Sequence, residues 1–139
     1  MTRTDRTRRE DPARADRHAE VGRRLLVAGR SILAQHDPRH ASALAVLAVH
    51  AGIAFADAVC ILKGGRKSAS PDHAAAVRLL RATLGNRLPL ATERALGRLV
   101  AEKDRLEYQG YVVPMREAAT IFELAERCAA WAEQALVSQ

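Results

Sequence analysis

His50, Asp57 and Cys60 interrupt an otherwise apolar stretch that runs from Ala41 to Leu62. On a helix, positions 50 and 57 lie two turns apart on one face, and position 60 falls almost one turn further along the same side. An imidazole and a carboxylate so placed can exchange a proton or anchor a polar ligand. An Asp among apolar residues also requires a cation or several donors. In a helical bundle the available partners are Lys103, Arg105 and Tyr108. They belong to a dense polar segment with Glu107 and Tyr111, in which two tyrosines close to Arg suit stacking on a base or holding a phosphate. His73, just after Asp72, stands in the first turn of another helix and near the open end of the His50 helix. Each group also has a structural reading: a hydrogen-bonded core His and Asp, a cap-assisting His73 and a solvated helix end.

Other chemistries find no support. The histidines are His18, His36, His40, His50 and His73, with no HExxH motif and no carboxylate-His helix pair, so neither a metal nor a cofactor is expected. Cys60 and Cys128 are far apart and mid-helix, and read as small buried hydrophobes. Gly64-Gly65 reads as a helix C-cap followed by basic residues, not as a phosphate loop, and no Ser occupies a nucleophile elbow.

The five prolines locate the elements that must position these groups. Asp11-Pro12, Asp37-Pro38 and Ser70-Pro71 pair a capping side chain with a residue tolerated in the first helical turn; Pro89 and Pro114 mark two further starts. The predicted helices run from Pro12 to about Gln35, Pro38 to Lys63, Pro71 to Leu84, Pro89 to Tyr108 and Pro114 to Val137. Inward stripes are predicted at Val21, Leu25, Ala28 and Ile32, then at Val77, Leu80 and Leu84, then at Leu96, Leu99, Val100 and Leu106. The last helix carries two adjacent stripes, Met115, Ala118, Phe122, Ala125, Ala129 and Ala132 beside Ile121, Leu124, Cys128 and Trp131, so it is expected to be buried on two sides. No segment shows the alternation of a strand.

Composition agrees. The 139 residues include 28 Ala and only 4% aromatics, which disfavours an all-β fold. Two cysteines exclude a disulfide framework. The length suits one domain, expected over residues 12–137 behind a flexible basic arm at residues 1–11. The net charge of +6 divides into +4 over residues 1–30, +5 over 31–100 and −3 thereafter, a balance that can attract a polyanion or maintain solubility. The charged N-terminal segment has no signal-peptide core, and His50 and Asp57 make the 41–62 stretch a buried central helix in preference to a membrane span. A cytoplasmic location without membrane attachment is the corresponding expectation.

The segment HAGIAFADA at residues 50–58, Gly64-Gly65, Asp72-His73, Leu79-Leu80, Lys103 with Tyr108 after four residues, and the Ala-rich last helix together resemble the HEPN domain superfamily. The likeness spans about residues 12–136 and is nearest to a stand-alone bacterial branch with an HAGIAxADA-type second helix. It implies an antiparallel four- or five-helix bundle, often a homodimer. Roles in that superfamily include metal-independent RNA cleavage, toxin–antitoxin partnership with nucleotidyltransferases, and non-catalytic RNA or nucleotide binding. Ribonuclease members carry Arg followed, after four to six residues, by His. Here Arg105 is followed at those offsets by Gly110, Tyr111 and Val112.

The expectation is therefore an all-α, HEPN-like bundle that binds RNA, a nucleotide or a protein partner without catalysis. Its binding candidates are His50, Asp57, His73, Lys103, Arg105, Tyr108 and Tyr111. The alternative is a metal-independent ribonuclease using His50 or His73 as base, Arg105 or Lys103 at the phosphorane and Tyr108 to position substrate.

Overall fold

The Asp-Pro pairs cap as the sequence predicts. Asp11 Oδ1 accepts from the Ala13 N–H and Asp37 Oδ1 from the Arg39 N–H, both at 2.9 Å. Each opens a single 3-10 turn, Pro12–Arg14 and Pro38–His40, that leads straight into α1 (Ala15–Gln35) and α2 (Ala41–Gly64). The third start is displaced. Ser70 Oγ accepts from the Asp72 N–H at 3.1 Å, and Asp72 Oδ1 accepts in turn from the Ala74 N–H at 3.1 Å. The carboxylate is the stronger acceptor, so α3 begins at Ala74 and runs to Leu84. α4 (Leu90–Leu106) and α5 (Met115–Val137) follow Pro89 and Pro114.

The computed structural model describes residues 5–108 and 110–138, and it is an all-α helical bundle with α2 at its centre. α1, α3, α4 and α5 all pack on α2, with α1 and α5 making the most extensive contacts. α2 is long and apolar enough to cross a membrane, and 67% of its most apolar window is buried inside the bundle. Most of its surface is buried, and one stripe through Ser42, Val46 and His50 is open to solvent. It ends at Gly65, whose left-handed backbone (φ 65°) lets its N–H reach the Ile61 carbonyl at 2.8 Å.

The inward faces of α3, α4 and α5 match the predicted stripes, with Leu106, Met115 and Trp131 partly covered. α1 matches in part: Leu25 and Ile32 pack half-buried against the core, but the helix turns inward Ala15, Ala19, Gly22, Leu26 and Gly29 and leaves Val21 55% exposed and Ala28 facing solvent. The rings of Phe55 and Phe122, both fully buried, occupy the space that larger α1 residues would need. A Cβ on Gly22 would lie 2.7 Å from the Phe55 ring, and one on Gly29 would lie 2.5 Å from Phe122. The bundle here buries aromatic rings against bare backbone, and each ring so buried contributes about 1.5–3 kcal/mol.

A second difference lies at the N-terminal edge. Thr7–Arg9 (β1) pairs antiparallel with Arg66–Ser68 (β2), in the register Thr7 with Ser68, Arg8 with Lys67 and Arg9 with Arg66. Backbone bonds extend the ladder at both ends: Ala69 N–H to the Arg6 carbonyl and Glu10 N–H to the Gly65 carbonyl, each 2.9 Å. Residues 5–10 of the expected arm are thus pinned to the segment after α2, which is a strand and not the basic loop its composition suggests; residues 1–4 lie outside the described residues. Neither strand has the apolar alternation that would reveal it, because main-chain bonds hold the ribbon.

Candidate functional site

The α3 N-terminus and the last two turns of α4 enclose a cleft of about 500 Å³. Its walls place His73 and Arg78 opposite Lys103, Asp104 and Glu107, over a floor that includes Val77 and Val100. Position follows from helical spacing. Lys103 and Glu107 are four apart on α4 and form an ion pair across one turn. Arg78 is held at the rim by two carboxylates: its Nε donates to Asp5 Oδ2 at 2.7 Å, and its Nη2 donates to Asp72 Oδ2 at 3.1 Å. The first turn of α3 adds the positive end of the helix dipole to this side of the cleft.

His73 is the titratable group at its centre. Burial pushes its pKa below the ordinary histidine range, and the positive charges of Lys103 and His50 push the same way against Glu107 and Asp104. His73 is accordingly neutral near pH 7, able to accept a proton or a hydrogen bond. His50 is exposed and outside the cleft lining, yet its charge is felt by both His73 and Glu107. Of the sequence-predicted residues, His50, His73 and Lys103 are therefore one electrostatic group.

The others are elsewhere. Asp57 is partly buried, and the charge facing it is Lys67 of β2, not Lys103 or Arg105. Burial raises its pKa to about 6, partly offset by Lys67. One turn on, burial and the Asp57 charge push the Cys60 thiol up to about 12. Arg105 and Tyr111 form the corner between α4 and α5. Arg105 Nε donates to Glu102 Oε2 at 2.9 Å, Nη1 donates to the Tyr111 hydroxyl at 3.0 Å, and Nη2 pairs with Glu117. The Tyr111 hydroxyl donates to Glu117 Oε2 at 2.6 Å, and the guanidinium also lies 4.9 Å from the ring centroid. With two carboxylates and a hydroxyl on it, Arg105 offers little to a phosphate. Tyr108 is 75% exposed and lines none of these clusters.

Arg78 and Asp104 line the cleft and are not among the residues singled out from sequence. Arg78 was legible in part: it stands one turn after Ala74 on the same short helix as His73. Among the described residues, no three His, Cys, Asp or Glu side chains converge as metal ligands. No family model, curated protein or solved structure matches the chain.

Proposed function

We propose that this chain is a HEPN-like, non-catalytic binding module that holds the phosphate of an RNA chain or nucleotide in the α3–α4 cleft. The observation that carries this reading is the placement of Lys103 and His73 on facing walls above an apolar floor. Lys103, which would exchange its single exposed partner Glu107 for the ligand, a neutral imidazole and a helix N-terminus suit a phosphate, and Val77 and Val100 suit the face of a base. The cleft volume lies within the range of about 300–1,000 Å³ usual for small-molecule sites. The engagement of Arg105 by Glu102, Glu117 and Tyr111 favours binding over cleavage, because one of the two cations expected at a phosphorane is already neutralised.

The test is titration of labelled single-stranded RNA and of a mononucleotide into the wild type and Lys103→Ala. Loss of one charge-assisted phosphate contact should weaken both by about tenfold. Equal affinities would remove the cleft from consideration. A ribonuclease reading retains one specific support, the coupling of His50, His73 and Lys103, which supplies two imidazoles and a cation. Cleavage in EDTA that His73→Ala abolishes in a folded protein would establish that reading and displace the first. The proposal also includes a cytoplasmic homodimer, for which Val21 and Val27 of α1, both more than half exposed, provide apolar surface.

A further inference from the structure

The β1–β2 register sets Arg8 directly opposite Lys67 and Arg9 directly opposite Arg66. Like charges directly opposed across an antiparallel pair destabilise it. Salt screens that repulsion without reversing it. The ribbon nevertheless forms, held by its backbone ladder and by Asp5, whose carboxylate takes Arg78 in a two-bond fork (2.7 and 3.0 Å).

The two faces of the ribbon are treated differently. On the face of Arg8 and Lys67, acids are at hand. Glu10 lies 3.8 Å from Arg8 and 3.7 Å from Arg14, and the Lys67 charge acts on Asp57 of α2. On the other face Arg9 and Arg66 stand with Thr7 and Ser68. The Arg66 guanidinium donates to Thr7 Oγ1 at 3.1 Å. Among the described residues, no carboxylate lies within ion-pair distance of Arg9 or Arg66. The fold compensates one like-charged pair and presents the other to solvent.

We infer that the Arg9–Arg66 face of the ribbon is a contact surface for the phosphodiester backbone of a nucleic acid. Two adjacent guanidiniums offer planar donor forks that match phosphate oxygens, and flanking hydroxyls add donors of the kind common at nucleic-acid backbones. A two-stranded ribbon is narrow enough to follow a groove or a single strand. Neither strand carries an apolar side chain, which sets the surface apart from one that inserts into a bilayer. This site is separate from the α3–α4 cleft and does not depend on the cleft's reading.

The experiment is fluorescence anisotropy of the full chain with labelled single-stranded RNA and duplex DNA, each of about 20 nucleotides, from 50 to 200 mM salt. The variants are Arg9→Gln/Arg66→Gln and a charge-matched control on α4, Arg94→Gln/Arg98→Gln. Loss of two phosphate contacts should weaken binding about tenfold at low salt and flatten the log–log salt dependence by about 1.4–1.8, with less than about a threefold change in the control. The melting temperature of the ribbon variant should stay level or rise, since a repulsion is removed. Should it fall, Arg9→Lys/Arg66→Lys keeps the charge and loses the forks, and an intermediate weakening is the expected result. Equal losses in ribbon and control variants, unchanged binding of the ribbon variant, no binding by the wild type, or equally tight binding to polyglutamate would each overturn the inference. Mononucleotide binding that survives in the ribbon variant and fails in Lys103→Ala separates this site from the cleft.

Discussion

Replacing Asp57 by Asn should stabilise the protein at neutral pH, and the gain should disappear in acid. The carboxyl is raised from its ordinary 3.8 to about 6, chiefly by burial. In the unfolded chain it ionises near 3.8; in the fold it holds its proton until about pH 6. Between those values the native state binds more protons than the unfolded state, so the Asp57 contribution to stability falls as pH rises. At about 1.4 kcal/mol for each tenfold change in proton affinity, the full cost at pH 7 is about 3 kcal/mol. Asn preserves shape and cannot ionise. Urea denaturation of both proteins between about pH 4 and pH 8 should show equal stability at the acid end, a difference that opens up to about pH 6, and a plateau of order 3 kcal/mol above it. A flat difference, or an Asp57→Asn protein that is the weaker of the two at pH 7, would refute the reasoning and mean that the ionised carboxylate is held by Lys67 more strongly than burial opposes it.

Gly29→Ala should lower stability by about 1–3 kcal/mol, because the new methyl would meet the fully buried Phe122 ring at 2.5 Å; the urea midpoint measures it. Cys60 and Cys128, with thiols raised to about 12 and about 11 and both buried, should resist a thiol reagent in the native protein at pH 8 and react at the rate of unfolding, read by absorbance against a denatured control. Tyr111→Phe removes the hydroxyl shared by Arg105 and Glu117 and should lower the melting temperature while leaving nucleotide binding at the cleft unchanged, measured by calorimetry on one preparation.

Helix positions are legible because Pro and Asp act locally, through a fixed φ and one hydrogen bond, so Asp11 and Asp37 cap as expected. Ser70 fails as a start for an equally local reason, the competing carboxylate two residues on. The inner face of α1 is only half legible, at Leu25 and Ile32. A hydropathy stripe ranks Val21 above Gly22, whereas the bundle selects for the absence of a side chain where Phe55 arrives from another helix. The ribbon escapes for the same kind of reason, its partner strand lying beyond two intervening helices. At the site, nearness in sequence groups Lys103 with Arg105, although residues two apart on a helix point to opposite sides. Their side chains diverge, one to the cleft and Glu107, the other to the α5 corner and Glu117. Asp57 shares a helix face with His50, yet the cation it meets comes from a short strand with no hydropathy signal.

The ribbon also has a consequence for the order in which the chain assembles. Its strands bracket α1 and α2, so it closes a loop that contains both helices, and it gains few buried apolar contacts in return. Closure of that kind carries its entropic cost early and its reward late, which places it after the α1–α2 hairpin during folding and first among the elements to open. The amides of Thr7–Arg9 and Arg66–Ser68 should then exchange with solvent deuterium well ahead of those in α2. A ligand spanning both strands would act as a latch on this loop, slowing exchange there while the helices keep their own rates.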